Sequence, residues 1–371
     1  MSNNKPPKQD NAFAFATLGT WFHLIKENGG VAPKYWGKMA GLLWISVLTI
    51  SLRWYERLRY GAVIDKVQIH PSPVFIVGHH RSGTTYLHNL LSQDPDLGFV
   101  STFQATAAAF SIMGNDGIKA ELSKGLAKKR SMDNVEASLD APQEEEIAMA
   151  NLCPYSFMHH MSFPQKTREY LEKYLLLETI SPEELKKRTD TYLTVLKKAT
   201  YLANGKRLVL KGPISTGQIK YLLSLFPAAK FIHIHRNPYD LFPSVGNLGR
   251  KLQEAHILQD IDEKEAIDNI FLVYIRMMKK FLAEKHLIPK GNFAEVSYEH
   301  LDKEPLKMLE YIYKEANLPG FQNKKALFEK YITEIGHYEK NNLDLENIYR
   351  KRMNEECQFA FDEWKYPVQQ A

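Results

Sequence analysis

VFIVGHHRSGTTYLHNLL, running from Val74 to Leu91, holds the pattern on which the reading of this chain turns. Its first four residues, Val74–Val77, form a β-branched and aromatic run of strand type. Leu87, Leu90 and Leu91 then recur at helical spacing, and Asp94-Pro95 stops the helix they imply. Between strand and helix, Gly78 and Gly83 let backbone N–H groups approach a ligand closely. Arg81 adds a fork of donors, and Ser82, Thr84 and Thr85 add hydroxyls at the positive end of the helix dipole. The alternative is an ordinary tight βα turn. The crowding of Arg81, Ser82, Thr84 and Thr85 into so short a loop favours a cradle for phosphate or sulfate.

The same loop argues against ATP chemistry. Gly78, four residues, Gly83, Thr84 and Thr85 have the spacing of a nucleotide-binding P-loop, but Thr84 stands where the lysine would reach the terminal phosphates. A second segment adds a further anion site. Lys230–Ile234 reads as a strand and is followed at once by Arg236, Asn237 and Pro238. Asn237 can cap the next helix, with Pro238 in its first turn and Asp240 near the favourable end of the dipole. Arg236 then lies at the C-terminal end of a strand, where open α/β sheets bind ligands. Ser244 follows about two helical turns later. Taken alone, the pair reads as a surface Arg and a helix-facing Ser.

GHHRSGTT and RNPYDLFPS, in this order, resemble the sulfotransferases that use 3′-phosphoadenosine 5′-phosphosulfate (PAPS), most nearly their broad bacterial-type and tyrosylprotein-like branch. RLVLKGP at Arg207–Pro213, FPAAKFIHIHRNP at Phe226–Pro238 and VSYEHL at Val296–Leu301 extend the resemblance over about Pro73 to Leu301. By position, it implies that Arg81, Ser82, Gly83, Thr84 and Thr85 cradle the 5′-phosphosulfate and that Arg236 and Ser244 hold the 3′-phosphate. Tyr298 would stack on adenine, with core packing as its alternative. Lys211 resembles the family's active-site lysine, and Arg81 and Lys211 would stabilise the leaving phosphate.

The general base is less clearly marked. Pro213 stands where cytosolic members carry a catalytic His, and Gln104 stands in the region where tyrosylprotein-like members carry a Glu. DAPQEEEIAM, Asp140–Met149, is similar to an acidic motif of bacterial members. Asp140 is expected to cap a helix with Gln143 reaching back, which places Glu144–Glu146 near its positive end. Glu144, then Glu146, are the candidate bases; the alternative is a solvated acidic first turn. No metal is implied, since fixed cations can stabilise the leaving group. His79-His80 and His159-His160 are adjacent pairs whose side chains diverge, and His233 and His235 share a strand face. Structural roles suit most of them better than metal ligation.

The chain is long enough for a sizeable core. Its 48 basic and 43 acidic residues leave too small a surplus to indicate nucleic-acid binding. Cys153 and Cys357 are the only cysteines, so no disulfide framework is expected. Lys5 and Lys8 precede a polar tract without a long apolar region, and the expectation is a cytoplasmic protein.

The N-terminal part differs in character. Residues 1–11 are polar and expected to lack order. Ala12–Ile25 and Met39–Leu52 are apolar and aromatic, separated by Gly29-Gly30 and Pro33. The second, MAGLLWISVLTISL, is about fourteen residues long, against about twenty for a membrane span. Arg53, Arg57 and Arg59 follow it, as in helices that sit on acidic lipid. A core helix, peripheral membrane contact and a greasy entrance for a lipid-like acceptor all remain open; a full span is the weakest reading.

Strand candidates at 74–77, 207–210, 230–234 and 292–297 alternate with helical stretches, which predicts a P-loop-like three-layer α/β fold. Its central parallel sheet is flanked by helices and carries an N-terminal helical appendage. The expected division is 1–66 for the tail and apolar helices and 67–371 for a sulfotransferase domain. The expected activity is sulfuryl transfer to a hydroxyl or amine of a small-molecule, lipid-like or carbohydrate acceptor. The alternatives are a nucleotide-dependent kinase and a non-catalytic membrane-associated nucleotide-binding module.

Overall fold

Strand β1 (Val74–Val77) is buried at every residue, a state that a strand tolerates only inside a sheet covered on both faces. In the computed structural model it lies at the centre of a five-stranded sheet with β2 (Leu97–Gly98), β3 (Arg207–Lys211), β4 (Lys230–His235) and β5 (Phe293–Ser297). The order is β2-β3-β1-β4-β5, and every pairing is parallel. Phe75 faces Leu210 on one side and Phe231 on the other, and the Phe75 and Phe231 rings stack at 5.4 Å. The four strands expected from the sequence are present to within a residue. β2 was not expected, because two residues carry no periodicity.

The structure describes residues 11–113, 116–124, 138–336 and 347–370. The polar tract expected over residues 1–11 lies, apart from Asn11, outside them. The chain forms two compact units. The sheet belongs to the unit made of His70–Gly98, Lys206–Asn247 and Ile267–Ala371. From β1 the chain runs to β2 at one edge, returns through β3, and then passes β1 to β4 and β5 on the other side. β1 therefore marks the switch point, where crevices open at the C-terminal strand ends. Helix Ile219–Leu225 buries Ile219 and Leu222, and helix Glu263–Glu284 buries Phe271, Tyr274 and Met278.

The other unit comprises Met1–Ile69, Phe99–Gly205 and Leu248–Ala266 and is helical. Helix Pro182–Leu202 starts with a capping box, Ser181 with Glu184, and with Pro182 in its first turn. A second capping box explains Gln104. Its backbone N–H donates to Ser101 Oγ at 3.2 Å, and its side chain reaches back to the Ser101 N–H.

Burial holds several histidines neutral. Desolvation, the largest cause in each, lowers His79, His88 and His235 to about 3 and His159 and His256 to about 4. Between those values and the ordinary 6.5 the unfolded chain binds protons that the folded chain does not, so stability is full above about pH 6.5 and falls as pH drops. The urea midpoint is therefore expected to decline steadily from pH 7 to pH 5. A flat profile over that range would show that these rings protonate without unfolding.

Candidate active site

The chain leaves β1 through Gly78, whose φ of +149° is reached readily only by glycine. A Cβ there would stand 2.3 Å from the Ile234 carbonyl oxygen, so the loop lies directly against β4. Thr216 clamps this turn. Its Oγ1 accepts from the Gly78 N–H at 2.7 Å and donates to the Gly78 carbonyl at 3.2 Å. Ser82 is turned inward, its hydroxyl donating to the His79 carbonyl at 2.7 Å, so this hydroxyl braces the loop.

Gly83, at φ +96°, is the N-cap of helix Thr84–Leu91, whose first N–H groups have no partner within the helix. A Cβ on Gly83 would meet Tyr298 Cδ2 at 2.4 Å. Gly83→Ala is accordingly expected to cost about 1–3 kcal/mol of stability, read as a lower thermal midpoint. An unchanged midpoint would mean that the Tyr298 ring gives way freely.

Three residues then cross-link two loops. Arg81, itself in the left-handed region at φ 69°, donates from Nε to Ser244 Oγ at 2.8 Å. Its carbonyl accepts from Arg236 Nη1 at 3.2 Å. The Arg236 guanidinium lies over the Tyr298 ring, 4.7 Å from its centroid. Tyr298 is buried and fills the place beside Gly83, the packing role weighed against adenine stacking. Arg236 Nε is buried and has no hydrogen-bond partner. A buried cationic donor in that state costs free energy that an anionic ligand would return.

The Arg236 turn is held from behind. Asn237 Oδ1 accepts from the Tyr239 N–H at 3.1 Å, and Asp240 lies in the first turn, as the sequence predicts. The Asn237 N–H donates to Glu299 Oε1 at 2.9 Å, and the Tyr366 hydroxyl donates to Glu299 Oε2 at 2.9 Å. Helix Pro238–His256 continues through Pro243, which does not interrupt it. Lys211 ends β3 and is only 2 % exposed. Its charge adds to burial in lowering His88. His79 packs edge-on against Tyr274 at 5.2 Å, which suits the structural role expected of it.

Arg81, Ser82, Gly83, Thr84, Thr85, Lys211, Arg236, Ser244 and Tyr298 thus all follow or close the C-terminal ends of β1, β3, β4 and β5. Thr216, Glu299 and Tyr366 were missed in the sequence. Thr216 and Glu299 sit next to or inside the quoted motifs, but no local pattern marks a hydroxyl or carboxylate that braces a loop from another strand.

Glu144 and Glu146 belong to the other unit. Helix Glu145–Leu152 has Glu144 as its N-cap, with Glu145 and Glu146 in the first turn. Asp140 does not cap it, contrary to the sequence expectation. Ser138–Gln143 is held away from the helix by a bridge between Ser101 and Pro142 and by the Gln143 N–H donating to the Val100 carbonyl. The Asp140 carboxylate instead meets Lys119. Glu146 is buried in a fork: Arg188 Nη1 and Nη2 donate to its two oxygens at 2.9 and 3.1 Å, and Ser156 Oγ donates at 2.7 Å. Both its oxygens are directed at fixed donors, the geometry of a structural pair and a poor one for a base. Glu145, which the sequence reading passed over, is also buried.

The profile of the sulfotransferase family matches residues 73–323, and the chain belongs to that family. It is 30 % identical over 350 residues to the omega-hydroxy-beta-dihydromenaquinone-9 sulfotransferase Stf3 of Mycobacterium bovis, covering 94 % of this chain and 89 % of that one. The protein of the same name from Mycobacterium tuberculosis matches equally well. Among solved structures, sulfotransferase STF9 of Mycobacterium avium superposes with a TM-score of 0.66 at 16 % identity, over 100 % of this chain and 99 % of that one. Sulfotransferase STF1 of Mycobacterium tuberculosis gives 0.63 at 17 % identity, over 85 % of each. The parallel-sheet fold is therefore shared, and the protein is a sulfotransferase of the bacterial type.

Proposed function

We propose that this sulfotransferase moves a sulfuryl group from PAPS to the hydroxyl of a hydrophobic, lipid-like alcohol. The observation that carries the donor is the cross-linked pair of loops, with Arg236 Nε buried and unanswered. The N–H groups and threonine hydroxyls of Gly83–Thr85, with Arg81, suit the 5′-phosphosulfate; Arg236 and Ser244 suit the 3′-phosphate. In the transfer, the acceptor oxygen forms a bond to sulfur as the bond from sulfur to the bridging phosphate oxygen breaks. Arg81 and Lys211 would take up the charge that develops on the departing phosphate. The acceptor proton must go to a base, for which Glu144 is the residue proposed, since Glu146 is held by Arg188. Glu144→Gln is then expected to lower kcat about 100-fold with donor affinity kept. A variant with full kcat would remove Glu144 from this role.

The lipid-like acceptor is supported by the substrate that the Stf3 relatives are named for and by the apolar N-terminal helix Trp36–Leu48 of this chain. Calorimetry with 3′-phosphoadenosine 5′-phosphate and with ATP tests the donor. Tighter binding of the bisphosphate without magnesium is expected. Tighter binding of ATP, dependent on magnesium, would overturn the assignment in favour of a kinase. Bisphosphate binding without transfer across a panel of long-chain alcohols would instead favour a non-catalytic module.

A further inference from the structure

Helices Trp36–Leu48 and Ile50–Lys66 are separated only by Thr49 and present two unlike faces. One face is tied to the rest of its unit by polar groups. Ser46 Oγ donates to the Ala16 carbonyl at 2.6 Å, and Arg53 Nη2 donates to the Phe15 and Ala16 carbonyls at 2.9 and 3.1 Å. Buried Glu56 pairs with Lys198 at 2.5 Å and accepts from the N–H groups of Ile112 and Met113 at 2.7 and 3.1 Å.

The other face is apolar and open. Trp36, Trp44, Leu48, Trp54 and Leu58 are each 58–68 % exposed. Trp36, Trp44, Leu48, Tyr55 and Leu58 recur at helical spacing, so they form one stripe along the pair rather than scattered surface residues. Tryptophan costs little to place where one edge of the ring meets hydrocarbon and the other meets water.

The charge along the helix pair is mainly basic. Residues 33–66 carry six basic side chains, Lys34, Lys38, Arg53, Arg57, Arg59 and Lys66, against two acidic ones. Glu56 pairs with Lys198, Asp65 with Arg57 and Lys34 with Asp260, and Arg53 belongs to the tied face, which leaves Lys38, Arg59 and Lys66 as the cations with no acidic partner among the described residues. The face is thus apolar and cationic together, which is complementary to the headgroup layer of an anionic bilayer.

We propose that this face is a membrane-docking surface, with the helix pair lying in the plane of the interface and the tryptophans at headgroup level. Pro33–Lys66 is long and apolar enough to cross a bilayer by length and composition. Crossing would strip Ser46, Arg53 and Glu56 of partners that the folded unit supplies, at several kcal/mol for the charges. Self-association through the same face is disfavoured for a different reason. A two-fold pairing would set the same cations against one another.

The test needs neither donor nor acceptor, so it is independent of the sulfotransfer reading. The full chain is sedimented with vesicles of phosphatidylcholine alone and of equal parts phosphatidylcholine and phosphatidylglycerol. Binding to the anionic vesicles is expected to be about tenfold or more the stronger, with a blue shift of tryptophan emission. The combined Trp44→Ser, Trp54→Ser and Leu58→Ser variant should lose that binding at least about tenfold while keeping its affinity for the bisphosphate. Arg59→Gln with Lys66→Gln, exposed changes that leave packing alone, should weaken it about fivefold per charge. The proposal is overturned if the wild type ignores anionic vesicles or if both variants bind like the wild type. It is also overturned if light scattering shows a dimer that the triple variant dissolves.

Discussion

Replacing Arg236 with alanine is expected to weaken binding of 3′-phosphoadenosine 5′-phosphate about a thousandfold, and binding of adenosine 5′-monophosphate by no more than about threefold. The two ligands differ only in the 3′-phosphate, which makes the comparison a direct readout of that subsite. Arg236 is part-buried, braced by the Arg81 carbonyl, and has Nε unsatisfied. A phosphate placed there gains charge-assisted hydrogen bonds from a donor that no longer has water. Calorimetry with the two nucleotides on wild type and variant decides the matter. Equal losses for both would remove Arg236 from the 3′ subsite. Loss of the bisphosphate alone would also separate a ligand contact from a folding defect, since a damaged fold should hurt both nucleotides.

Arg188→Met should be the most destabilising single change in the helical unit, at about 3–5 kcal/mol. It leaves the Glu146 carboxylate buried with its bidentate partner gone and only Ser156 donating to it. The Tyr155 carbonyl, which also accepts from Arg188 Nη1 at 2.9 Å, loses its donor as well. Removing both charges, with Arg188→Met and Glu146→Leu together, should recover most of the loss, because the desolvation penalty disappears with the pair. Urea unfolding of the two singles and the double measures this. A single-variant cost below about 1 kcal/mol would mean that water reaches the pair.

Much of the loop architecture at the C-terminal strand ends was legible because its information is local. A strand, two glycines, an arginine and a run of hydroxyls fall within Val74–Leu91, and Arg236 and Ser244 lie on one short strand-to-helix unit. The sheet was legible for the same reason: β1, β3 and β4 are nearly continuous buried runs, and β5 is a short β-branched and aromatic segment. What escaped were contacts made at long sequence separation. Glu299 braces Asn237 across 62 residues, and Thr216 clamps Gly78 across 138. The acidic run Glu144–Glu146 shows the limit in reverse. Three adjacent carboxylates look alike in sequence, yet folding gives Glu146 to Arg188 and puts Glu144 at the N-cap position without a capping side-chain bond. Asp140 failed as a cap because it lies in a turn whose following residues pair with Ser101 and Val100, contacts that local propensity does not register.

The bond from Arg81 to Ser244, together with that from Arg236 to the Arg81 carbonyl, ties the two loops into one unit, which on the proposed donor assignment would act as a single gauge of fixed length. The spacing between its ends is set before any nucleotide arrives. On that assignment, a nucleotide with only one of the two anions would leave a desolvated cation unanswered at the far end, and a longer phosphate chain would overrun the near end. Selection against other adenine nucleotides would then need no wall and no clash. It follows from measuring both ends of the ligand at once.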